Sequence, residues 1–440
     1  MNNLNEKIFS LAEKLEDTTI NRRRDFHKYP EAAWTEFRTA SFAATTLQEL
    51  GYEVLTGDDA VDESNMMGVP SVQALEEHMQ RAIAQGADAA LVEKMRGGKT
   101  GVVAIYKFAK PGPVVGLRFD IDSNDVSETA DENHRPNKEG FTSVNKSAMH
   151  ACGHDGHTSV GLSVAEILMS LKDELAGTIK LFFQPAEEGV RGARAMVAKE
   201  VINDVEFMLG AHFGFKAAKT GALCCNVRGF LATSKYDAEY TGMSAHAGAA
   251  PEQGKNALLA AACAALNLHA ISRHGEGTSR INVGVLNAGS GRNVLPANAI
   301  LKYETRGATS KINEFMAKES IRIIESAASM YDVKVKISEM GGAAGGDNTP
   351  ALSARIEKLA EELAIFDDII PDCDFGASED YSYFMEKVQK NGGQAAYIMV
   401  GANLAAGHHE ARFDFDEAAL AKATKLLAAS AADLLRESAK

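Results

Sequence analysis

From residue 101 onward, short apolar runs alternate with segments of helical periodicity, and this alternation limits the folds that the chain can adopt. The apolar runs are predicted to be strands, and they lie at 102–106, 114–119, 179–183 and 207–211. Helical spacing covers about 156–175 and 189–199, between the later runs. Strands that alternate with helices build a mainly parallel sheet flanked by helices. The sequence therefore predicts an α/β domain.

Residues 233–338 form a separate block with a different order of elements. The order is strand, helix, strand, strand, helix, strand, which is that of a ferredoxin-like unit. A Gly- and Ala-rich segment at 341–349 follows, and it reads as a return linker. A chain of 440 residues is also too long for one ordinary core. We therefore expect an inserted ferredoxin-like α+β domain at 232–341 within a larger domain formed by 1–231 and 342–440.

Two features precede this alternation. Residues 36–50 have apolar positions at helical spacing and stop at Gly51, a residue type that commonly ends helices. Residues 57–100 are acidic at first and then rich in Ala, Gln and Glu, with helical character. We interpret 57–100 as an insertion packed on the surface.

The segment from Ser147 to Thr158 has an unusual concentration of metal-binding residue types. Three His, one Cys and one Asp fall between His150 and His157. Neutral imidazoles, thiolates and carboxylates are the usual ligands of first-row metals. Cys152 and His154 open a predicted helix, where both could bind one ion. The alternative is a polar loop with a capping Asp; we interpret the segment as half of a metal site.

Further candidates for that site follow other apolar runs. They are Asp120 and Asp122, Glu187 and Glu188, His212, and His408 and His409. Each has a structural alternative: the Asp pair could cap a helix, the glutamates could begin one, and a lone His is usually structural. Sites of open α/β sheets lie at strand ends, so we expect these side chains to converge.

Such a set suits two metal ions bridged by a shared ligand and a hydroxide. Adjacent glutamates fit a division of labour, in which one binds metal and the other takes a proton from the attacking water. A site of this kind hydrolyses amides. Ligands of mixed N, O and S type accept Zn²⁺, Mn²⁺, Co²⁺ or Ni²⁺, and we expect manganese or zinc, with cobalt and nickel as alternatives.

Charge and composition exclude several classes of partner. The formal net charge is −14, which argues against nucleic acid and anionic membranes as partners. No run approaches the ~18 apolar residues of a membrane span, and no signal-peptide core is seen near the N-terminus. Five scattered Cys suggest no disulfide framework. We expect a cytoplasmic protein.

Several stretches resemble the aminoacylase/carboxypeptidase family of di-metal amidohydrolases, over about residues 22–417. They are MHACGHDGHT, FFQPAEEGVRGARAMV, GMSAHAGAAPEQGKNALLAA, AGSGRNVLPANA, FGASEDYSYF and GHHEARFDFDE. Within the family they are similar to the branch that holds hippurate hydrolases, auxin-conjugate hydrolases and N-acyl-amino-acid amidohydrolases.

The resemblance implies roles for individual residues. The metal ligands it implies are Cys152, His154, Glu188, His212 and His409. Glu187 matches the general base, and Cys152 stands where related peptidases carry a bridging Asp. Asp120 falls where other relatives have a metal-binding His, so its ligation is open, and Asp122 matches an Asp that supports the site. Sequence alone does not separate His408 from His409 as the ligand.

The inserted block contributes further residues by the same resemblance. His246 matches a His that stabilises the oxyanion, often across a dimer interface, so the block is expected to be a lid and dimerisation domain. Asn293 and Arg306 match residues that hold the substrate carboxylate, for which the planar fork of Arg is suited. The alternative for Arg306 is a surface ion pair.

The opening RRRDFHKYPEAAWTEFRTA, the segment 57–100 and the ending AAGHHE resemble members of this branch that act on p-aminobenzoyl-glutamate, a product of folate breakdown. The resemblance implies cleavage of that amide to p-aminobenzoate and glutamate, and a homodimer or a heterodimer with a homologous subunit. Two alternatives stay open. One is the same chemistry on another N-acyl amino acid, such as a hippurate-like or N-acetyl compound. The other is a non-catalytic subunit that supports a homologous catalytic partner.

Overall fold

The computed structural model describes residues 3–436 and divides into two compact units. The larger unit holds the described residues up to Arg228, Asp347–Phe375, and the described residues from Tyr383 onward. The smaller unit holds Gly229–Gly346 and Gly376–Ser382. Residues 1–2 and 437–440 of the predicted larger domain lie outside the described residues.

The elements alternate along the chain as an α/β protein requires. The helices longer than one turn are α1 (Asn3–Lys28), α2 (Phe37–Glu49), α3 (Val72–Ala84), α4 (Ala89–Lys94), α5 (Arg135–Glu139), α6 (His154–Ser170), α7 (Ala193–Val197), α8 (Ala257–His269), α9 (Ser310–Met330), α10 (Pro350–Leu363), α11 (Tyr381–Lys390) and α12 (Ala418–Leu434). The strands are β1 (Glu53–Thr56), β2 (Val102–Lys107), β3 (Lys110–Asp120), β4 (Ala176–Gln184), β5 (Phe207–Phe213), β6 (Ala222–Cys224), β7 (Val227–Arg228), β8 (Ala232–Thr241), β9 (Ser279–Ala288), β10 (Asn298–Gly307), β11 (Lys334–Ala343), β12 (Asp368–Ile370), β13 (Cys373–Asp374) and β14 (Gln394–Val400).

The larger unit is built on an eight-stranded sheet in the order β1-β2-β4-β3-β5-β14-β6-β12. The four central strands β4, β3, β5 and β14 are parallel, while β1, β2 and β6 pair antiparallel with their inner neighbours. Central parallel strands are buried on both faces, which explains why they appear in the sequence as continuous apolar runs. The predicted α/β fold with a mainly parallel sheet is confirmed. The carboxyl ends of the four central strands share one edge.

Helix α6 lies directly on this sheet and is buried along most of its length. Gly161 makes the close approach possible, because a Cβ at that position would lie 2.7 Å from the Phe119 ring of β3. Helices α1 and α12 pack against α6. Since α6 begins at His154, this packing fixes the start of the helix near the carboxyl ends of the strands.

The smaller unit has a four-stranded antiparallel sheet in the order β11-β8-β10-β9. Its helices α8 and α9 pack against that sheet. The chain order β8-α8-β9-β10-α9-β11 is the ferredoxin-like order expected from the sequence. Buried aromatic and aliphatic side chains join sheet and helices, and they include Tyr240, Leu301, Tyr303, Met316 and Ile324.

Three local predictions need correction. The helix expected over 189–199 shortens to α7, because Gly189 and Val190 adopt positive φ values of 83° and 58° and form a turn. His212 lies inside β5 rather than after it. The segment 57–100 is not simply a surface insertion, since Leu75 and Val92 are buried in the main core. Among the described residues, no helix has the length and apolar character needed to cross a bilayer.

Candidate metal centre and catalytic site

The residues that we expected to converge are brought to the carboxyl edge of the central strands. Parallel strands place their exits together at such an edge, which is where open α/β sheets hold their sites. The contributing segments are the end of β3 with Asp120 and Asp122, the turn after β4 with Glu187 and Glu188, His212 near the end of β5, the start of α6 with Cys152 and His154, and the loop after β14 with His409. The side chains of Cys152, His154 and His212 are buried.

The imidazole of His154 is oriented by Asp122. Its Nδ1 lies 3.0 Å from the backbone oxygen of Asp122 and 3.3 Å from the Oδ1 of the same residue. Both are acceptors, so Nδ1 carries a proton and donates. Gly153, in a left-handed conformation with φ 92°, turns the chain so that α6 begins at His154. The buried Nε2 has no hydrogen-bond partner among the described residues.

His212 is arranged in the same manner. Its Nδ1 donates to the backbone oxygen of Phe213 over 2.8 Å, so the other nitrogen is free to act as a ligand. That Nε2 lies 3.4 Å from the Sγ of Cys152. Burial and the neighbouring His157 and His408 hold the pKa of His212 well below its usual value. The ring is therefore neutral, as a metal ligand must be.

The turn after β4 presents the two glutamates with their backbone fixed. The N–H of Glu187 donates to Asp122 Oδ1 over 3.0 Å, and the N–H of Glu188 donates to Asp122 Oδ2 over 2.8 Å. Asp122 thus orients His154 and both glutamates together. Glu187 Oε2 lies 4.0 Å from His154 Nε2.

The two adjacent histidines of the last loop differ in their surroundings. His409 Nε2 lies 3.3 Å from Glu188 Oε1, and the His409 N–H donates to the backbone oxygen of Ala151 over 2.8 Å. His408 instead stacks on Phe215, with ring centroids 4.1 Å apart, and its Nε2 lies 3.2 Å from the Phe213 oxygen. The structure therefore places His409, and not His408, beside the thiol and the glutamate.

The two carboxylate oxygens of Asp120 are hydrogen-bonded to other side chains. Its Oδ1 lies 2.6 Å from His157 Nδ1, and its Oδ2 lies 2.6 Å from Arg118 Nη1. The N–H of Phe213 donates to His157 Nε2, so His157 carries its proton on Nδ1 and donates to Asp120. Burial would raise the pKa of Asp120, but electrostatic interactions with His154, His157 and Arg118, together with the hydrogen bond from His157, lower it well below its usual value. Both oxygens of Asp120 therefore already accept hydrogen bonds from side chains outside the proposed ligand set.

The donor set fits divalent metal. Side-chain donor atoms lie within 4.8 Å of one another in the groups Cys152–His154–His212, Cys152–Glu188–His409 and His154–Glu187–Glu188. Two ligands of one ion bound at about 2.0–2.3 Å lie at most about 4.6 Å apart, so small adjustments suffice. His154 Nε2 is buried without a hydrogen-bond partner among the described residues, and Glu188 Oε1 is buried with His409 Nε2 3.3 Å away. Cys152 belongs to two of these groups.

In the smaller unit, His246 has a defined tautomer. Its Nδ1 accepts hydrogen bonds from the backbone N–H groups of Gly248 and Ala249, each over 3.1 Å. The neutral ring therefore carries its proton on Nε2, and this N–H is a donor on an exposed side chain. Asn293 lies on the neighbouring segment, where its backbone oxygen accepts from the N–H of Ala247 over 3.0 Å.

Arg306 lies on β10 and is paired with Glu304. The distances are 2.9 Å from Nε to Oε1 and 3.3 Å from Nη2 to Oε2. Residues 304 and 306 are two apart on one strand, so they share a face of the sheet. The ion pair that we considered for Arg306 is thus present, and any role with substrate requires Arg306 to exchange partners or to share them.

Three residues that support the site were not predicted from the sequence. His157 and Arg118 hold Asp120, as described above, and Glu36 contacts the turn that precedes Glu187. His157 belongs to the same motif as Cys152, so its type was visible but its role was not. Arg118 lies within an apolar strand, and a charged residue in a buried strand is a signal that it has a partner.

Comparison with known proteins places the chain among amide hydrolases. Residues 116–433 match the model of a family described as peptidase family M20/M25/M40. One of the subunits of the p-aminobenzoyl-glutamate hydrolase of Escherichia coli (strain K12) is 48% identical over 432 residues, 98% of each chain. The indole-3-acetyl-aspartic acid hydrolase of Enterobacter agglomerans is 45% identical over 97% of each chain. A crystal structure of an aminobenzoyl-glutamate utilization protein from Klebsiella pneumoniae is 37% identical, with a TM-score of 0.82, over 96% of this chain and 97% of that one.

Proposed function

The chain belongs to peptidase family M20/M25/M40, and from that premise we propose that it cleaves the amide bond of p-aminobenzoyl-glutamate, giving p-aminobenzoate and glutamate. The observation that carries the proposal is the complete set of metal donors with an adjacent glutamate at one sheet edge. The substrate is suggested by the relative from Escherichia coli, which matches over 98% of each chain.

The ligands proposed for the metal are Cys152, His154, Glu188, His212 and His409. We propose that these residues would hold two divalent ions, Mn²⁺ or Zn²⁺, with Co²⁺ or Ni²⁺ as alternatives. When bound, such ions polarise the amide carbonyl and lower the pKa of water. In both His154 and His212, a backbone oxygen accepts a hydrogen bond from Nδ1 and so keeps the ring proton on that nitrogen. The other nitrogen, Nε2, is thereby left available to bind metal.

Glu187 is proposed as the general base. Its carboxylate takes a proton from the attacking water and delivers it to the nitrogen of the departing amine. Asp122 holds the backbone of Glu187 and of Glu188 through its two oxygens, so base and ligand keep a fixed spacing. The two glutamates can therefore have different roles, base and ligand, although the same Asp122 carboxylate fixes the backbone of both.

His246, Asn293 and Arg306 are proposed to bind the substrate. His246 is suited to an oxyanion because its Nε2–H is a donor, while Nδ1 is held by two backbone N–H groups. Arg306 is suited to the glutamate α-carboxylate because a guanidinium forms bidentate pairs with carboxylates. Its present partner, Glu304, would compete with the substrate.

Two alternatives are each favoured by one comparison. Activity on another N-acyl amino acid is suggested by the 45% identical relative, whose name specifies indole-3-acetyl-aspartic acid. A supporting role in a hetero-oligomer is suggested by the relative from Escherichia coli, because its name makes it one subunit of a hydrolase. The chain has Glu187 as well as all five proposed ligands, which favours a catalytic role. A dimer with itself or with a homologous subunit is compatible with both alternatives.

The test is hydrolysis by the purified protein loaded with Mn²⁺ or Zn²⁺. The panel is p-aminobenzoyl-glutamate, hippurate, indole-3-acetyl-aspartate and N-acetyl-glutamate, with the protein alone and with a homologous second subunit. We expect the highest kcat/KM with p-aminobenzoyl-glutamate. A higher kcat/KM with another compound would identify that compound as the preferred substrate. If the mixture with the second subunit keeps its activity when this chain carries Glu187→Gln, this chain has a supporting role.

A further inference from the structure

Three consecutive backbone N–H groups in the turn after β4 each donate to a buried carboxylate. Those of Glu187 and Glu188 donate to Asp122, and that of Ala186 donates to Glu36 Oε1 over 2.8 Å. Ala186 has a φ of 54°, a left-handed conformation that a non-glycine residue rarely adopts. The conformation of this turn therefore depends on two acceptors, of which Glu36 holds its first residue.

Glu36 is fully buried, and both of its oxygens accept hydrogen bonds. Oε1 also accepts from the N–H of Trp34 over 3.0 Å, and Oε2 accepts from the Thr100 hydroxyl over 2.6 Å. Although the residue occupies the position before α2, its side chain makes no cap to that helix. Capping is done by Glu31, which accepts from the N–H groups of Arg38 and Thr39. The side chain of Glu36 therefore does not cap α2, and its Oε1 accepts instead from the Ala186 N–H in the turn after β4.

We propose that Glu36 is a positioning residue that sets the orientation of Glu187 and Glu188 through the N–H of Ala186. The proposal rests on the roles proposed above for those two glutamates. Glu36 touches neither substrate nor metal in this scheme. Without its acceptor, the buried Ala186 N–H would be left unpaired, and the left-handed residue would lose the contact that holds it. The turn would then relax, and the ligand and the base would move together.

The consequence is measurable in two independent quantities. Residues that orient metal ligands typically change metal affinity or activity by about 10–100-fold when they are replaced. For Glu36→Ala we therefore expect Zn²⁺ affinity and kcat at saturating metal each to fall by about 10–100-fold, with KM nearly unchanged. Glu36→Gln keeps an oxygen for the two N–H groups and can donate to Thr100, so it should restore most of both quantities.

Glu31→Ala is the matched control. Glu31 is also fully buried and also accepts two backbone N–H groups, but at the start of α2. Both alanine variants should lose thermal stability, measured by the melting temperature. Only Glu36→Ala should lose Zn²⁺ affinity, measured on the metal-free protein by competition with a chromophoric chelator.

The outcomes separate the alternatives. Equal loss of Zn²⁺ affinity in the two alanine variants, or failure of Glu36→Gln to restore it, would overturn the positioning role. Because the affinity measurement uses no substrate, it is independent of which amide is cleaved. If Glu36→Ala binds Zn²⁺ weakly while the wild type cleaves none of the panel, the positioning role stands and the proposed activity fails.

A second inference comes from two buried thiols away from the metal centre. The Sγ atoms of Cys224 and Cys373 lie 3.1 Å apart, and a disulfide requires about 2.05 Å. Cys224 ends β6, and Cys373 begins β13, which pairs with β7. Cys373 is 9% exposed, whereas Cys224 is fully buried. Little movement is therefore needed to join them.

We infer that Cys224 and Cys373 form a reversible disulfide when the protein meets a peroxide. The Cys373 thiolate attacks one peroxide oxygen, the O–O bond breaks, and the departing hydroxide takes up a proton to leave as water. The Cys224 sulfur then displaces the hydroxyl of the resulting sulfenic acid, and a second water leaves. In sum, two thiols and one hydrogen peroxide give one disulfide and two waters. The hydrogen bond from Cys224 lowers the pKa of Cys373, which favours Cys373 as the attacking thiol.

Peptide mapping by mass spectrometry after treatment with hydrogen peroxide tests this assignment. We expect a cross-linked pair of peptides that holds residues 224 and 373, lighter by two hydrogens and released by dithiothreitol. Cys373→Ser should abolish it, and Cys263→Ser, which removes a half-exposed thiol of α8, should leave it unchanged. A link through Cys225 instead, or oxidation of Cys263 without any link, would contradict the inference.

Discussion

The imidazole of His154 shows how strongly groups outside a metal centre decide which atom is offered to the metal. Its two nitrogens are chemically similar in free imidazole, but Asp122 accepts a hydrogen bond from the Nδ1–H and so leaves Nε2 as the nitrogen available to the proposed metal. The Phe213 carbonyl does the same for His212. By the same principle we do not propose His157 as a ligand, since both of its nitrogens have protein partners.

At this scale the first prediction concerns Glu187. Glu187→Gln keeps the size of the side chain and removes the ability to take a proton. We expect turnover to fall by about 10²–10⁴-fold, the usual contribution of a general base, while the metal content is retained. Metal content by plasma mass spectrometry and steady-state kinetics are the measurements. Loss of metal from this variant, together with retention by Glu188→Gln, would reverse the two roles.

The second prediction concerns His246 and Arg306. His246→Ala removes an N–H donor, so we expect kcat to fall by about 10²–10³-fold with metal retained, as for other oxyanion donors. Arg306→Ala should instead raise KM for substrates with a free α-carboxylate, with little effect on their α-amides. Kinetics on a matched acid and amide pair distinguish the two effects. An unchanged kcat in His246→Ala would remove that residue from the mechanism.

At the scale of elements, helix α6 is held to α1 by a buried cluster of charges. Arg23 Nε lies 2.9 Å from Asp155 Oδ2, and His27 Nδ1 lies 2.8 Å from the same oxygen. His27 Nε2 lies 3.0 Å from Glu128. Burial would lower the pKa of His27, but the hydrogen bonds to Asp155 and Glu128 outweigh it and raise the pKa. Since Asp155 follows His154 directly, the cluster anchors the end of α6 that carries the proposed ligand.

This arrangement gives the third prediction, on pH and stability. The raised pKa of His27 contributes stability that is fully present below the unfolded value of about 6.5 and is lost as pH rises through the folded pKa. The free energy of unfolding of the metal-free protein should therefore fall above about pH 6.5 more steeply in the wild type than in His27→Gln. Denaturant unfolding from pH 6 to about 9 measures the difference. The exposed His269→Gln is the control, and an identical slope in all three proteins would contradict the prediction.

At the scale of the whole molecule, the proposed ligands join parts of the chain that are far apart in sequence. The five residues stretch from Cys152 to His409 and come from four different loops or strand ends. Metal ions bound by these proposed ligands would tie β4, β5, α6 and the loop after β14 to each other. A metal that binds only the folded state stabilises it according to its concentration and affinity.

The fourth prediction follows from that linkage. Removal of metal by a chelator should lower the melting temperature, and Mn²⁺ or Zn²⁺ at 100 times its Kd should restore about 2.7 kcal/mol. Calorimetry of the chelated and the reloaded protein provides the measurement. At the same metal concentration Cys152→Ser should show a smaller restoration, because a serine hydroxyl is a poor substitute for a thiolate ligand and raises the Kd. A melting temperature unaffected by metal would exclude a folded-state site of this strength.

Local patterns predicted much of this protein. The four apolar runs correspond to β2, β3, β4 and β5, of which the last three belong to the parallel centre of the sheet. The α/β class could be predicted from them because a buried strand is a continuous run of apolar residues. The candidate donors were visible because metal chemistry uses few residue types, and because they follow those runs. The ferredoxin-like order of 233–338 could also be predicted, because helices and strands differ in the spacing of their apolar residues.

Tertiary structure decided the rest, because it depends on atoms that are remote in sequence. His408 and His409 are equivalent neighbours in the chain, and only the position of Phe215 and Glu188 separates them. The sequence leaves open whether Asp120 is a ligand, and only the structure shows that its two oxygens accept hydrogen bonds from Arg118 and His157. The sequence by itself thus determined which residue types are present and which strand end each follows. Only the tertiary structure could determine which donor atom of each side chain remains available to bind metal, because the other atoms are hydrogen-bonded to residues that are remote in sequence.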